Sequence, residues 1–152
     1  MSAQERLKEL GIELEAGKPP MGAYVPSVRT GKLVFMSGLG PGTSEGREWT
    51  GKVGSDLTVE EGAQAARAVG IAMLARINSE VGGLDNVARI VKVLGFVASG
   101  PGFGAQPTVM NGFSDLMADV FGDAGRHARS AIGVSELPNN IPVEVELVLE
   151  LS

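Results

Sequence analysis

HARSAIGVSELPNNIPVEVELVLEL, residues 127–151, is the stretch whose reading decides the fold. Two extended runs, His127 to Ser135 and Ile141 to Leu151, are split by Leu137-Pro138-Asn139-Asn140, whose proline and asparagines favour a turn. Side chains alternate between faces along a strand. Val143, Val145, Leu147, Leu149 and Leu151 therefore share one face, and Glu144, Glu146, Val148 and Glu150 share the other. In the preceding run Ser130, Ile132 and Val134 point one way, and Arg129, Ala131, Gly133 and Ser135 the other. A strand with a fully apolar face needs a helical or sheet layer against it.

The segments upstream supply that layer. Thr58 opens a long helix, with Glu61 three residues later in a capping-box pattern. Val59, Ala63, Ala66, Gly70, Met73, Leu74, Ile77 and Val81 form its apolar face, and Gly82-Gly83 ends it. The face holds many small residues, so close packing on a sheet is expected. Pro107 opens a second helix, with Val109, Met110, Phe113, Leu116, Met117, Val120 and Phe121 on one stripe and an end near Gly122. Residues 88–98 (ARIVKVLGFVA) are the strongest strand, apolar on both faces: Ile90, Leu94 and Phe96 on one, Val91, Val93 and Val97 on the other. Tyr24 to Arg29 and Leu33 to Ser37 read as a hairpin joined by Thr30-Gly31-Lys32. Lys18 to Gly22 (KPPMG) breaks regular structure, and Gly38 to Thr50 is a loop. Residues 3–14 read as a short helix with Leu7, Leu10 and Leu14 in phase. The order is helix, β, β, helix, β, helix, β, β. It predicts one α+β domain over residues 1–152, with residues 1–17 as a helical N-terminal extension and the two long helices on one sheet face.

Two helices cover only one face of such a sheet, and the second face is partly apolar. A homo-oligomer packed through that face is expected; the alternative is the N-terminal helix folded across it.

Composition narrows the function. Hydrophobic residues make up 43% and charged residues 20%, as in an ordinary globular chain. Net charge is −5, and no Lys/Arg run exists to displace counterions from phosphates, so nucleic acid is not expected as a partner. Without cysteine there is no thiolate nucleophile, and one histidine cannot make a His-rich metal centre, so no metal is expected. No stretch approaches the ~20 apolar residues of a membrane span, and the first residues lack a signal-type apolar core. A cytoplasmic location is the default expectation.

Arg129 and Glu144 are the candidates for chemistry. A guanidinium beside small residues offers a planar fork of donors to a carboxylate; the plainer reading is an ion pair with Glu144 or Glu146. If the two strands pair in register, parity puts Arg129 and Glu144 on the same face. Tyr24, the only tyrosine, is a phenol donor or a packing residue. His127 reads as a loop residue, and Trp49 as a cover for a hydrophobic edge. Gly100-Pro101-Gly102-Phe103-Gly104 has no following Lys and reads as a turn, not a phosphate loop.

Residues 127–146 resemble the C-terminal signature of the Rid (reactive intermediate deaminase) family, also called YjgF-like or L-PSP endoribonuclease-like: A-R-[ST]-x-[VI]-x-V, then L-P, then [VI]-E-[VI]-E. Gly22-Ala23-Tyr24-Val25 resembles that family's G-P-Y segment, and Leu33 to Pro41 (LVFMSGLGP) its strand ending in S-G-Q-x-P. The likeness spans residues 20–151. It implies a chorismate-mutase-like fold, a homotrimer with sites at subunit interfaces, and hydrolysis of a small 2-imino acid or its enamine to a 2-oxo acid and ammonia, without a cofactor. Carried over by position, Arg129 matches a carboxylate clamp and Glu144 the group that holds or activates water. Tyr24, Ser37, Gly38 and Ala131 match substrate-site positions, as does Asn111 if an insertion near 104–107 is allowed. Ala131 stands where cysteine is frequent, and Leu39 where glutamine is usual. The alternatives are a non-enzymatic protein that binds a small carboxylate metabolite at the trimer interface and, less favoured by the acidic charge, a ribonuclease or translation inhibitor.

Overall fold

The computed structural model describes residues 1–17, 19, 20, 22–43 and 46–152. Its elements run α1 (Ala3–Glu9), β1 (Ser27–Thr30), β2 (Leu33–Leu39), α2 (Val59–Val81), β3 (Val87–Ala98), α3 (Gln106–Phe121), β4 (Ala128–Val134) and β5 (Val143–Leu151), with short 3-10 turns at Leu84–Asn86, Gly122–Gly125 and Pro138–Asn140. The five strands form one mixed sheet in the order β1-β2-β5-β3-β4. β5 runs antiparallel to both β2 and β3, while β3 and β4 are parallel. A parallel pair needs a crossover, and α3 supplies it. This is the expected α+β arrangement. Lys18, Met21, Ser44 and Glu45, within the expected break and loop, lie outside the described residues.

The helix-facing side of the sheet carries the core. Val34, Met36, Val93, Val97, Val143, Val145, Leu147 and Leu149 are buried there against Met73, Leu74, Ile77, Met110, Phe113 and Met117. Thr58 caps α2, its hydroxyl accepting from the Glu61 N–H at 3.1 Å; only this half of the expected box forms. Gly82, at φ +73, closes the helix in the left-handed region that favours glycine. The small residues of α2 serve contact with α3 as well as with the sheet. A Cβ on Gly70 would meet Leu116 at 2.8 Å, and one on Gly112 would overlap the Ala63 carbonyl.

Four expectations change. α1 stops at Glu9, not Leu14. Gly11 takes φ +69, and its N–H and that of Ile12 bond back to the carbonyls of Lys8 and Leu7, which closes the helix. Leu7 is buried, but Leu10 is exposed. α1 does not cross the open sheet face. It packs beside α3, with the Ala3 N–H on Asp85 at 2.9 Å and Arg6 on the Val120 carbonyl at 3.3 Å. Strand parity in β3 also breaks, because register shifts near Arg89 and again between Ile90 and Lys92 turn Ile90 to the core while Leu94 and Phe96 face the other way. Tyr24 precedes β1 and is not part of the hairpin.

Candidate functional site

β4 is an edge strand, and its register decides which way Arg129 points. Arg129 stands opposite Val93, and Val93 opposite Leu147. Paired residues share a face, so Arg129 points to the helix side. Its Nη1 donates to Asn111 Oδ1 and to Ser114 Oγ, both at 3.0 Å, and its Nη2 donates to the Pro107 carbonyl at 3.3 Å. Those three residues sit four and three apart on α3, so they line one helix face. A guanidinium has five N–H donors. Three are tied to α3; among the described residues the Nε–H and the second Nη2–H have no partner.

Glu144 lies on the opposite face. It pairs with Phe96, and Phe96 pairs with Ile132 on the open side. The expectation that Arg129 and Glu144 share a face assumed that their strands are neighbours. β3 lies between them, and the sidedness reverses. The plainer reading also fails: Arg129 makes no ion pair with Glu144 or Glu146, since α3 takes it.

Around Glu144 the structure gathers a second cluster. A Cβ on Gly38 would meet the Glu144 carboxyl carbon at 3.2 Å, so glycine there gives the carboxylate room against the backbone. Gly38 falls where β2 slips register between Met36 and Leu39. Ser37 donates its hydroxyl to the Val25 carbonyl at 2.7 Å and its N–H to the Pro26 carbonyl at 2.9 Å, which pins the Tyr24 segment to the strand end. Tyr24 is 55% exposed. Tyr24, Ser37, Gly38 and Leu39 border a cavity of about 640 Å³ that extends under the N-terminal segment to Trp49 and Ile71. Trp49 is buried, with the Arg47 guanidinium 3.8 Å over its ring. Partial burial, and then the neighbouring Glu146, push the Glu144 carboxyl above its ordinary range.

The expected residues thus fall into two clusters on opposite faces of the sheet. Arg129 and Asn111 form one, with Ala131 beside them, half-buried against the core. Tyr24, Ser37, Gly38 and Glu144 form the other. The residues missed by sequence reasoning are Ser114 and His127. His127 Nδ1 is 2.7 Å from the Gly125 carbonyl, and Nε2 is 2.9 Å from Ser114 Oγ. Two signals could have found them. Ser114 is three after Asn111 on a helix, and His127 is two before Arg129 next to a strand. Burial holds the His127 ring below its ordinary pKa, and the nearby Arg129 charge adds to this, opposed by the bond to Gly125. Among the described residues no three His, Asp or Glu side chains converge as metal ligands.

Residues 4–151 match the family model for YjgF/chorismate mutase-like proteins, described as “putative endoribonuclease”. The chain is 44% identical over 147 residues to protein TCP17 of Trypanosoma cruzi, covering 96% of this chain and 92% of that protein. Among solved structures it resembles Atu1372 of Agrobacterium tumefaciens, a protein of unknown function, at 39% identity and a TM-score of 0.90, covering 99% and 92% of the two chains. It also resembles a Shewanella oneidensis protein with the same description as the family model, at 30% identity and a TM-score of 0.94, covering 99% and 100%.

Proposed function

This chain belongs to the YjgF/chorismate mutase-like family, and on that premise we propose that it is an imine deaminase that hydrolyses a small 2-imino acid to a 2-oxo acid and ammonia. The observation that carries the reading is the division of the Arg129 donors. Three N–H groups are anchored on α3 and, among the described residues, two are left without a partner, as a clamp for a planar anion requires.

Glu144 is too far round the sheet to serve the Arg129 of its own chain. In this reading a homotrimer sets the Glu144 half-site of one subunit against the Arg129 half-site of the next, and the open sheet face is the surface that meets its copy. Exposed Val28, Phe35 and Ile132 support this.

The chemistry then needs few groups. Arg129 holds the substrate carboxylate, which places the imine carbon. Glu144 takes a proton from a water as that water's oxygen bonds to the carbon and the C=N π pair moves to nitrogen. The same proton returns to nitrogen, giving a carbinolamine; Glu144 then moves the hydroxyl proton to nitrogen as well, the C–N bond breaks, ammonia leaves, and the oxygen's electron pair closes the 2-oxo group. A carboxyl raised above its ordinary range accepts and returns a proton more readily near neutrality. Tyr24 and Ser37 line the approach, and Asn111 serves by fixing Arg129.

The test mixes the protein with an amino-acid oxidase and follows oxo-acid release across several side chains. Acceleration over spontaneous hydrolysis is expected, and lost with Arg129→Ala. No acceleration for any side chain overturns the reading. Leu39 on the cavity wall favours one second reading, a carboxylate-binding protein without turnover; saturable 2-oxobutanoate binding with no acceleration would select it. A net charge of −5 weighs against a ribonuclease.

A further inference from the structure

The bonds behind Arg129 form a directed chain. The Gly125 carbonyl can only accept, so the His127 proton sits on Nδ1. In the neutral ring Nε2 is then an acceptor, and it receives the Ser114 hydroxyl hydrogen. With its hydrogen so directed, the Ser114 oxygen presents lone pairs to Arg129 Nη1. Each link fixes the next: backbone carbonyl, imidazole, hydroxyl, guanidinium. Phe113 braces the ring edge-on at 6.4 Å between centroids. The Ser114 hydroxyl and both ring nitrogens of His127 are engaged in these bonds.

We propose that Ser114 and His127 are positioning residues that lock the rotation of the Arg129 guanidinium, so that its Nε–H and second Nη2–H are presented as a preset fork to an incoming carboxylate. The ligand half of this rests on the deaminase reading; the locking half does not. A freely rotating guanidinium binds a carboxylate too, but must lose that freedom on binding. Removing the relay therefore weakens carboxylate binding more than it slows the chemical step.

Two measurements test it on the full chain. The first needs no ligand. In ¹⁵N NMR at pH 7.5 His127 should show a neutral ring protonated at Nδ1, and the Arg129 Nη groups should exchange slowly. Ser114→Ala and His127→Ala should each speed that exchange, and Ser114→Thr, which keeps the hydroxyl, should restore it. An Nε2-protonated or charged His127 overturns the proposal, as does unchanged Arg129 exchange in both alanine variants. Either variant suffices if the other fails to fold. The second measurement is KM and kcat on the generated imine, with 2-oxobutanoate as the binding probe. Ser114→Ala should raise KM by roughly ten- to a hundredfold with kcat little changed. A fall in kcat at constant KM contradicts it. A wild type that neither turns over imine nor binds 2-oxobutanoate sinks the deaminase reading, and the NMR result still decides the lock.

Discussion

Arg129 and Glu144 show how far single residues can be read. Their types and spacing named both as candidates, but no local pattern records that β3 is threaded between their strands. Their faces were therefore misjudged. The Ser114–His127 contact was invisible for a related reason: the two residues lie 13 apart on different elements. Two predictions belong at this scale. Arg129→Lys keeps the charge but cannot satisfy Asn111, Ser114 and Pro107 while still offering two parallel donors. It should lose most 2-oxobutanoate affinity, read by calorimetry, with the melting temperature little changed. Glu144→Gln tests the raised carboxyl. A group whose folded pKa is raised binds protons more tightly when folded, so its contribution to stability is present at low pH and is lost as pH rises from the ordinary carboxylate value through the raised one. The Gln variant escapes that loss. It should unfold at higher denaturant than wild type at pH 7, match it near pH 3, and be inactive.

At the level of elements, legibility follows the strength of the pattern. α2, α3 and β5 were plain because long apolar faces bounded by Thr58, Gly82, Pro107 and Gly122 leave few alternatives. α1 was overextended because leucine spacing outweighed Gly11, and the cap formed by Ser2 and Glu5 went unseen. The β3 irregularities left no mark in composition, so alternation was carried through them. What the helix pattern suggested only in part was where the small residues are needed. Gly112 lies so near the Ala63 carbonyl that any side chain must part α2 from α3. Gly112→Ala should destabilise by about 1–3 kcal/mol, seen as a lower denaturant midpoint at an unchanged slope. The same separation shifts the first turns of α3, so Arg129 anchoring should weaken with it.

For the whole molecule, the sheet has one face sealed by helices and one left bare. The bare face mixes Val28, Phe35 and Ile132, 56%, 46% and 44% exposed, with Glu144 and Glu146. Subunit contact there predicts a solution mass near three times the 15.7 kDa chain, by light scattering. Ile132→Glu puts a charge in that contact without touching the core. It should give a folded monomer with unchanged far-UV circular dichroism and no turnover, because the half-sites part. A folded monomer that keeps full turnover would contradict a site shared between subunits.

The position of β5 also bears on how the molecule is made. The strand that hydrogen-bonds to both β2 and β3 is the last of the five to leave the ribosome. Without it, the pairs β1-β2 and β3-β4 have no strand between them, and the inner edges of β2 and β3 lack their partner. A chain interrupted before Val143 is thus exposed along both edges at once and open to chaperones and proteases. Release of the final strand joins the two pairs in one sheet and sets Glu144 beside Gly38 in the same step.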